Sequence, residues 1–379
     1  MPVNGGGGVD LLFDARHIEQ SGIGTYISKQ IPMLQEHFAT RGLSLAILGN
    51  SDDFADLAPT TTLVRSQPGD APMYSVQEQR AWDDALARVR PRAVWVPHYP
   101  FPLSLLRPRN RGIALFMTVH DAIHVVPAAV SGQNWVRRSY ARTMLGIDVR
   151  RCAQIFAVSE ATAGTLRELF AGAPLTVAPQ PIDPRWLADV DTALSPVAAP
   201  YLAYVGNTQR HKNLPLLLKA YRQVARDIPQ RLVIAGGGAL VRSSDDRIRP
   251  LVDDLGDRVD MVGRVSFETL RALVARADLL VMPSLMEGAG LPPLEAMASQ
   301  TAVLASDIPA LRETCGSGAE FFDPHDAAGL ARLIRHYALD ELARSGLAQR
   351  GWRHVTDRQS RLSFTVAVEA IGAYLVERR

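Results

Sequence analysis

The stretch Pro283-Ser-Leu-Met-Glu-Gly-Ala-Gly-Leu-Pro-Pro-Leu-Glu-Ala-Met-Ala298 decides the architecture. It continues an apolar run, Leu279–Pro283, of the kind that forms a parallel strand buried on both faces. Glycines follow, and then prolines that suit the first turn of a helix, here Pro292–Ala298. Gly288 and Gly290 let backbone N–H groups come close to an anion, and the start of the helix adds the positive end of its dipole. The N–H groups of Gly288, Ala289, Gly290 and Leu291 therefore form a candidate diphosphate cradle. Glu287 stands at the loop entrance and Glu295 lies eight residues on, inside the helix. A carboxylate accepts two hydrogen bonds, so each suits a vicinal diol, one on a ribose and one on a hexose.

Outward from this stretch, short apolar runs alternate with amphipathic segments along the whole chain, which is the pattern of parallel sheets covered by helices. The first half offers strands at Val9–Asp14, Leu43–Gly49, Ala93–Pro97, Ala114–His120, Gln154–Ser159 and Leu175–Val177. The second offers Tyr201–Gly206, Arg231–Ala235, Val259–Val262, Leu279–Pro283, Thr301–Ser306 and Ala319–Phe322. Helices are expected at Gly24–His37, Ser75–Val89, Leu214–Asp227, Ser266–Ala275 and Ala327–Ala338. The proline-rich stretch Pro179–Pro200 reads as a linker, giving domains at 1–185 and 186–359. At 379 residues the chain exceeds the usual size of one core. Two open α/β sheets place a ligand cleft between the carboxyl ends of their strands.

Composition narrows the class. The net charge of +2 demands no nucleic-acid partner. Two cysteines far apart, Cys152 and Cys315, form neither a disulfide framework nor a metal cluster, which fits a reducing cytoplasm. The start of the chain, Met1–Gly8, lacks the charge and apolar core of a signal peptide, and no apolar run approaches the ~20 residues that span a bilayer. Between residues 88 and 151, eleven arginines face only two acids, Asp121 and Asp148. That bias fits either a solvated helix face or a basic surface for anionic lipid. Arginines interleaved with apolar residues in Trp135–Val149 favour a surface-lying amphipathic segment over a nucleic-acid site.

Three further segments carry chemistry. In Tyr201-Leu-Ala-Tyr-Val-Gly-Asn-Thr-Gln-Arg-His-Lys-Asn-Leu214 a strand and glycine turn lead to a helix for which Asn213 is the expected cap. Lys212 then presents an ammonium at the strand end, with Arg210 as a second cation. In Leu115-Phe-Met-Thr-Val-His-Asp121 a strand ends in His120, which Asp121 is placed to orient. In Asp14-Ala-Arg-His-Ile-Glu-Gln-Ser-Gly-Ile-Gly-Thr25 a strand ends at Asp14, and Gly22 and Gly24 open a helix. Asp14 and Arg16, with His98 and Tyr99 at another strand end, are candidate acceptor contacts. Ala235-Gly-Gly-Gly-Ala239 lacks the third glycine at dinucleotide-binding spacing, and the sole Asp-x-Asp, Asp189-Val-Asp191, lies in the expected linker. The sequence therefore points to no metal ion and no cofactor.

The segment around Glu287 and Glu295 resembles the E-x7-E region of the family 4 retaining glycosyltransferases, and Ser306-Asp-Ile-Pro-Ala-Leu-Arg-Glu313 is similar to that family's next strand and loop. The resemblance implies the GT-B fold, two facing Rossmann-like domains with parallel sheets and an interdomain cleft, with a last helix at about 360–379 crossing back to the first domain. By the same resemblance Glu287 faces the transferred sugar, Glu295 holds the ribose, Lys212 neutralises the diphosphate and His120 contacts the sugar. The glycine loop at Gly22 and Gly24 approaches donor or acceptor. Many relatives carry arginine where Asn207 and His211 stand, and Arg210 is the candidate replacement. The forms Gly-Leu-Pro-Pro-Leu-Glu and Ser-Gly-Ile-Gly-Thr-Tyr look like bacterial mannosyltransferases of surface polysaccharide assembly. This implies a nucleotide-sugar donor, GDP-mannose, and a polyprenyl-diphosphate-linked saccharide acceptor. It also implies a cytoplasmic protein peripheral to the inner face of an anionic plasma membrane, and no nucleic acid. A UDP-sugar-dependent enzyme, a sugar-nucleotide epimerase, a glycoside phosphorylase and a non-catalytic nucleotide-sugar-binding protein remain as alternatives.

Overall fold

The computed structural model describes residues 8–19, 21–50, 54, 57–69, 71, 75–98, 102–237 and 245–379. Thirteen strands in these residues form two parallel sheets. The first contains β1 (Leu11–Asp14), β2 (Leu45–Gly49), β3 (Thr61–Arg65), β4 (Ala93–Val96), β5 (Ala114–Val119), β6 (Gln154–Ala157) and β7 (Leu175–Val177), in the order β3-β2-β1-β4-β5-β6-β7. The second contains β8 (Tyr201–Val205), β9 (Arg231–Ala235), β10 (Val259–Gly263), β11 (Leu279–Met282), β12 (Ala302–Ser306) and β13 (Glu320–Phe322), in the order β10-β9-β8-β11-β12-β13. Central strands such as β1, β4, β11 and β12 are buried along their whole length, which explains why they read as unbroken apolar runs. The strand β3 has no counterpart among the expected strands. It is an edge strand, partly buried over Thr61–Leu63, so its two threonines and final arginine hide the apolar signal.

Two compact units result. One comprises residues 1–122, 139–180 and 363–379, and the other residues 123–138 and 181–362. The boundary therefore falls at 180/181 and 362/363 instead of 185/186 and 359/360, and the expected linker is not one. Asp183 accepts from Arg185 N–H and starts a short 3-10 turn, Pro184–Leu187, while Ile182 and Trp186 are buried in the core of the second unit. The side chain of Gln359 accepts from Ile182 N–H and donates to Ile182 C=O, both at 3.1 Å, fixing the start of this stretch. The segment 123–138 joins the second unit through its own contacts. There Gly132, at φ 68, packs against the stem of Arg210 so closely that an added Cβ would lie 3.3 Å from it.

In the first unit the closing helix is Val366–Glu377, preceded by a separate helix, Glu341–Arg361, in the second. Ala367, Val368, Ile371 and Leu375 fill the first unit's core beside helix Ser21–Thr40. Arg92 pins its end by donating to the carbonyls of Leu375 and Arg378. Helix Trp135–Arg151 corrects the amphipathic reading of that segment. Leu145, Gly146, Asp148 and Val149 in its second half are buried, and only its first half lies at the surface.

Asp148 is fully buried and neither carboxylate oxygen has a hydrogen-bond partner. Burial pushes its carboxyl up to about 8, so the folded protein holds it protonated at neutral pH. The unfolded chain loses this proton near pH 4, so stability falls as pH rises from there to about 8 and then levels. Asp148→Asn is expected to flatten this slope and raise stability at pH 8 by about 1–3 kcal/mol, read from urea melts between pH 5 and 9. An unchanged slope in the variant would place the titration elsewhere.

Candidate functional site

Each sheet reverses its strand order once, between β1 and β4 in the first unit and between β8 and β11 in the second. Open parallel sheets leave a crevice beyond the strand ends at such a reversal. The two best sequence motifs of the second unit follow β8 and β11, so they meet there.

After β8 the chain makes a short 3-10 turn, Arg210–Lys212, and Asn213 follows at φ 53. Asn213 is not the expected side-chain cap of the next helix. Its amide instead donates to the carbonyls of Pro283, at 3.0 Å, and Pro324, at 2.9 Å. A second strap runs from Leu285 N–H to His211 C=O at 2.7 Å. These bonds hold the two loops together, and Lys212 Nζ reaches both oxygens of Glu287, at 2.7 and 3.0 Å. Ser284 Oγ donates to the same carboxylate at 2.6 Å. The Lys212 and Glu287 side chains are only 13% and 8% exposed, so each depends on the other for compensation. Burial, with Lys212 adjacent, pushes His211 down to about 4, so it stays neutral and supplies no charge. Arg210 is exposed and is the other cation of this turn.

The loop after β11 enters helix Leu291–Ala298 through Gly290, at φ 60. Any side chain there would also strike Leu311, whose Cδ2 would lie 2.6 Å from an added Cβ. Thr314 Oγ1 holds the loop by donating to Ala289 C=O at 2.8 Å. Pro292 and Pro293 have no N–H, so the cradle's donors are confined to the loop and Leu291. Glu295 lies on this helix, half-buried, beside Asp183 and Trp186. Burial and the Asp183 charge push its carboxyl up to about 7, against the hydrogen bond from Trp186. The pairing with residues 183–186 was hidden in the sequence because that stretch reads as linker. Ser284 was missed too, although it lies three residues before Glu287.

In the first unit the structure gathers Asp14, Arg16 and His98 at the β1/β4 reversal, but as a buried network. Arg16 donates to both oxygens of Asp14, at 2.9 and 2.8 Å, and His98 Nε2 lies 3.3 Å from Asp14. Glu78 and His17 complete the cluster, with Arg16 3.6 Å from Glu78 and its guanidinium over the Trp82 ring. Despite burial, Arg16 and His98 hold the Asp14 carboxyl well below the usual range. Asp14, Arg16 and His98 are thus engaged with each other and turned away from solvent, which corrects the reading of them as open contacts. Tyr99 lies outside the described residues.

His120 follows β5. Its Nε2 donates to Pro97 C=O at 2.9 Å, which leaves Nδ1 as an acceptor, and burial lowers its pKa and keeps the ring neutral. The Pro97 carbonyl, not Asp121, therefore makes the described hydrogen bond that orients it, with Tyr26 edge-on at 4.9 Å. Gly22 and Gly24 lie in the first turn of helix Ser21–Thr40, not in a loop before it. Gly24 is needed for packing, since an added Cβ would lie 2.0 Å from Ile18 O, whereas Gly22 meets nothing within 4 Å. Among the described residues, no group of three His, Cys, Asp or Glu is placed to hold a metal ion.

Residues 191–353 match the family Glycosyl transferases group 1, and residues 29–186 match Glycosyltransferase Family 4. The chain belongs to glycosyltransferase family 4. This glycosyltransferase is 28% identical to the O-antigen chain mannosyltransferase RfbU of Salmonella typhimurium over 65% of its own length and 64% of RfbU. It is 30% identical to an MMP alpha-(1->4)-mannosyltransferase of Mycolicibacterium hassiacum over 63% of its own length and 57% of that protein. The matched region thus spans less than two-thirds of either relative. Sucrose-phosphate synthase from Thermosynechococcus elongatus superposes with a TM-score of 0.78 at 21% identity, covering 98% of this chain and 99% of that one. Anabaena HepE, solved with UDP and glucose, superposes at 0.71 and 15% identity, covering 97% and 100%. At these identities the likeness establishes the GT-B fold of the glycosyltransferase.

Because the Asp14–Arg16 pair is buried, Asp14→Ala leaves a guanidinium facing Glu78 with half its bonds lost. We expect a loss of about 3–5 kcal/mol in urea unfolding, with the double Leu variant of Asp14 and Arg16 less affected. A change below about 1 kcal/mol for Asp14→Ala would mean the pair contributes little to the folded state.

Proposed function

We propose that this glycosyltransferase moves mannose from GDP-mannose, with retention of configuration and without a metal ion, to a saccharide carried on polyprenyl diphosphate. The observation that carries the reading is the Lys212–Glu287 pair at the β8/β11 reversal. A bound donor diphosphate competes with Glu287 for the ammonium. As the bond from the anomeric carbon to the diphosphate oxygen breaks, negative charge grows on that oxygen, and Lys212 stabilises it. The same oxygen takes the proton of the acceptor hydroxyl while the new bond forms on the same face of the sugar. Arg210 supplies a second positive charge, and the N–H groups of the Gly288–Leu291 loop cradle the diphosphate. Glu287, held by Ser284, accepts from sugar hydroxyls, as does Nδ1 of His120. The choice of mannose and of a lipid-linked acceptor draws support from the relatives named O-antigen mannosyltransferases. No helix among the described residues is long and apolar enough to cross a membrane, so this reading has the protein meet its acceptor at a membrane surface, on the cytoplasmic side. Calorimetric titration with GDP- and UDP-sugars tests the donor: a UDP-sugar binding more tightly than GDP-mannose would overturn that choice.

Turnover is expected to persist in EDTA, and there Lys212→Ala should lower kcat by about 10²–10³-fold at saturating donor. A rise in KM with kcat intact would mean that Lys212 holds only the ground-state diphosphate.

The ribose takes the ionised form of Glu295, which the free protein populates only as pH passes about 7. GDP affinity should therefore climb towards pH 7 and level above it. Glu295→Gln should remove the part of this climb due to the side chain and weaken binding at pH 8 by roughly 10-fold or more. Identical pH profiles for wild type and variant would remove Glu295 from the nucleotide site.

A further inference from the structure

The first half of helix Trp135–Arg151 exposes large side chains that a water-facing helix seldom carries. Trp135 is 75% exposed, Val136 53% and Tyr140 54%. At about 100° per residue, these three fall within an arc of roughly 140°, together with the small polar Ser139 and Thr143. Arg137 flanks one side of the arc, and Arg138 and Arg142 flank the other. Among the described residues no carboxylate pairs with any of the three guanidinium groups, and the chain has no acid between Asp121 and Asp148. The face thus presents aromatic rings at its centre and unpaired positive charge along both edges. A soluble protein partner with an acidic rim would match the arginines, but an anionic bilayer matches the whole arrangement. Indole and phenol rings partition into the headgroup region, and arginines beside them reach lipid phosphates.

We propose that Trp135, Val136 and Tyr140 insert into the interface of an anionic membrane, with Arg137, Arg138 and Arg142 binding lipid phosphate. The inference builds on the membrane-surface acceptor reading above and names the face that makes the contact. The second half of the same helix is buried, and Arg151 donates to the carbonyls of Asn110, Arg111 and Ile113, so the exposed turns project from an anchored helix.

The test uses the full chain with vesicles of phosphatidylcholine alone and with roughly one-third phosphatidylglycerol, near the anionic content of a bacterial leaflet. We expect sedimentation with the anionic vesicles only, reversed by salt. Replacing Arg137, Arg138 and Arg142 by Gln should weaken binding by roughly 100-fold, since each basic residue contributes about 5-fold. Trp135→Ala with Tyr140→Ala should abolish the blue shift of tryptophan emission on binding, with thermal melts unchanged. Equal binding to both vesicle types, wild-type binding by both variants, or a dimer in solution that Trp135→Ala dissociates would overturn the proposal. Turnover of a water-soluble acceptor, measured without vesicles, separates this outcome from failure of the transferase reading. Loss of vesicle binding with soluble-acceptor turnover intact confirms the face. Vesicle binding through this face in a protein that turns over no acceptor would instead count against the transferase reading alone.

Discussion

In both sheets the central strands carry apolar side chains on both faces, so charged groups can be accommodated only where those strands end. This constraint organises everything that follows. Parallel strands all end on one side, and the order of each sheet reverses once, which leaves a single place where two adjacent loops diverge. In the second unit Lys212 and Glu287 occupy that place, and in the first Asp14 and His98 do. The same physics gives the two places opposite characters. One ends in a pair at the rim that a ligand can reach, and the other in an ionic cluster sealed under Trp82.

The Lys212–Glu287 pair also defines the resting state of the second unit. An ammonium and a carboxylate this poorly solvated each need a partner, and here they have one another. A ligand phosphate therefore gains Lys212 only by displacing or sharing Glu287, and its gain is the difference between two ion pairs. Ser284 limits the penalty by keeping one hydrogen bond on the carboxylate throughout.

Most of the fold could be read because buried parallel strands are short, apolar and regularly spaced. Every central strand was legible, and β3 escaped because an edge strand half in water carries threonines. The loop from Pro283 to Leu291 was legible because its glycines, prolines and carboxylate each have one evident use. Burial was not legible at Asp14, Arg16 and His98, since a polar residue at a strand end reads alike whether it faces solvent or a buried counter-ion. Nor was the role of Asn213, whose amide is used twice across loops over 70 residues apart in sequence. Pro179–Pro200 failed for a related reason. Proline fixes φ without saying whether the stretch is free, and Ile182 and Trp186 fasten it to a core.

The division of the chain has a consequence for recombination. The second unit is assembled from residues 123–138 and 181–362, with 139–180 returned to the first unit between them. Exchange of donor halves among related enzymes by a single crossover near residue 181 would leave the 123–138 piece behind, and with it Gly132 against the stem of Arg210. A functional chimaera therefore requires two grafts that travel together, and the small one must be matched to the recipient's Arg210–Lys212 turn. Genes for such enzymes are thereby constrained to diversify by point substitution within each half more readily than by trading halves.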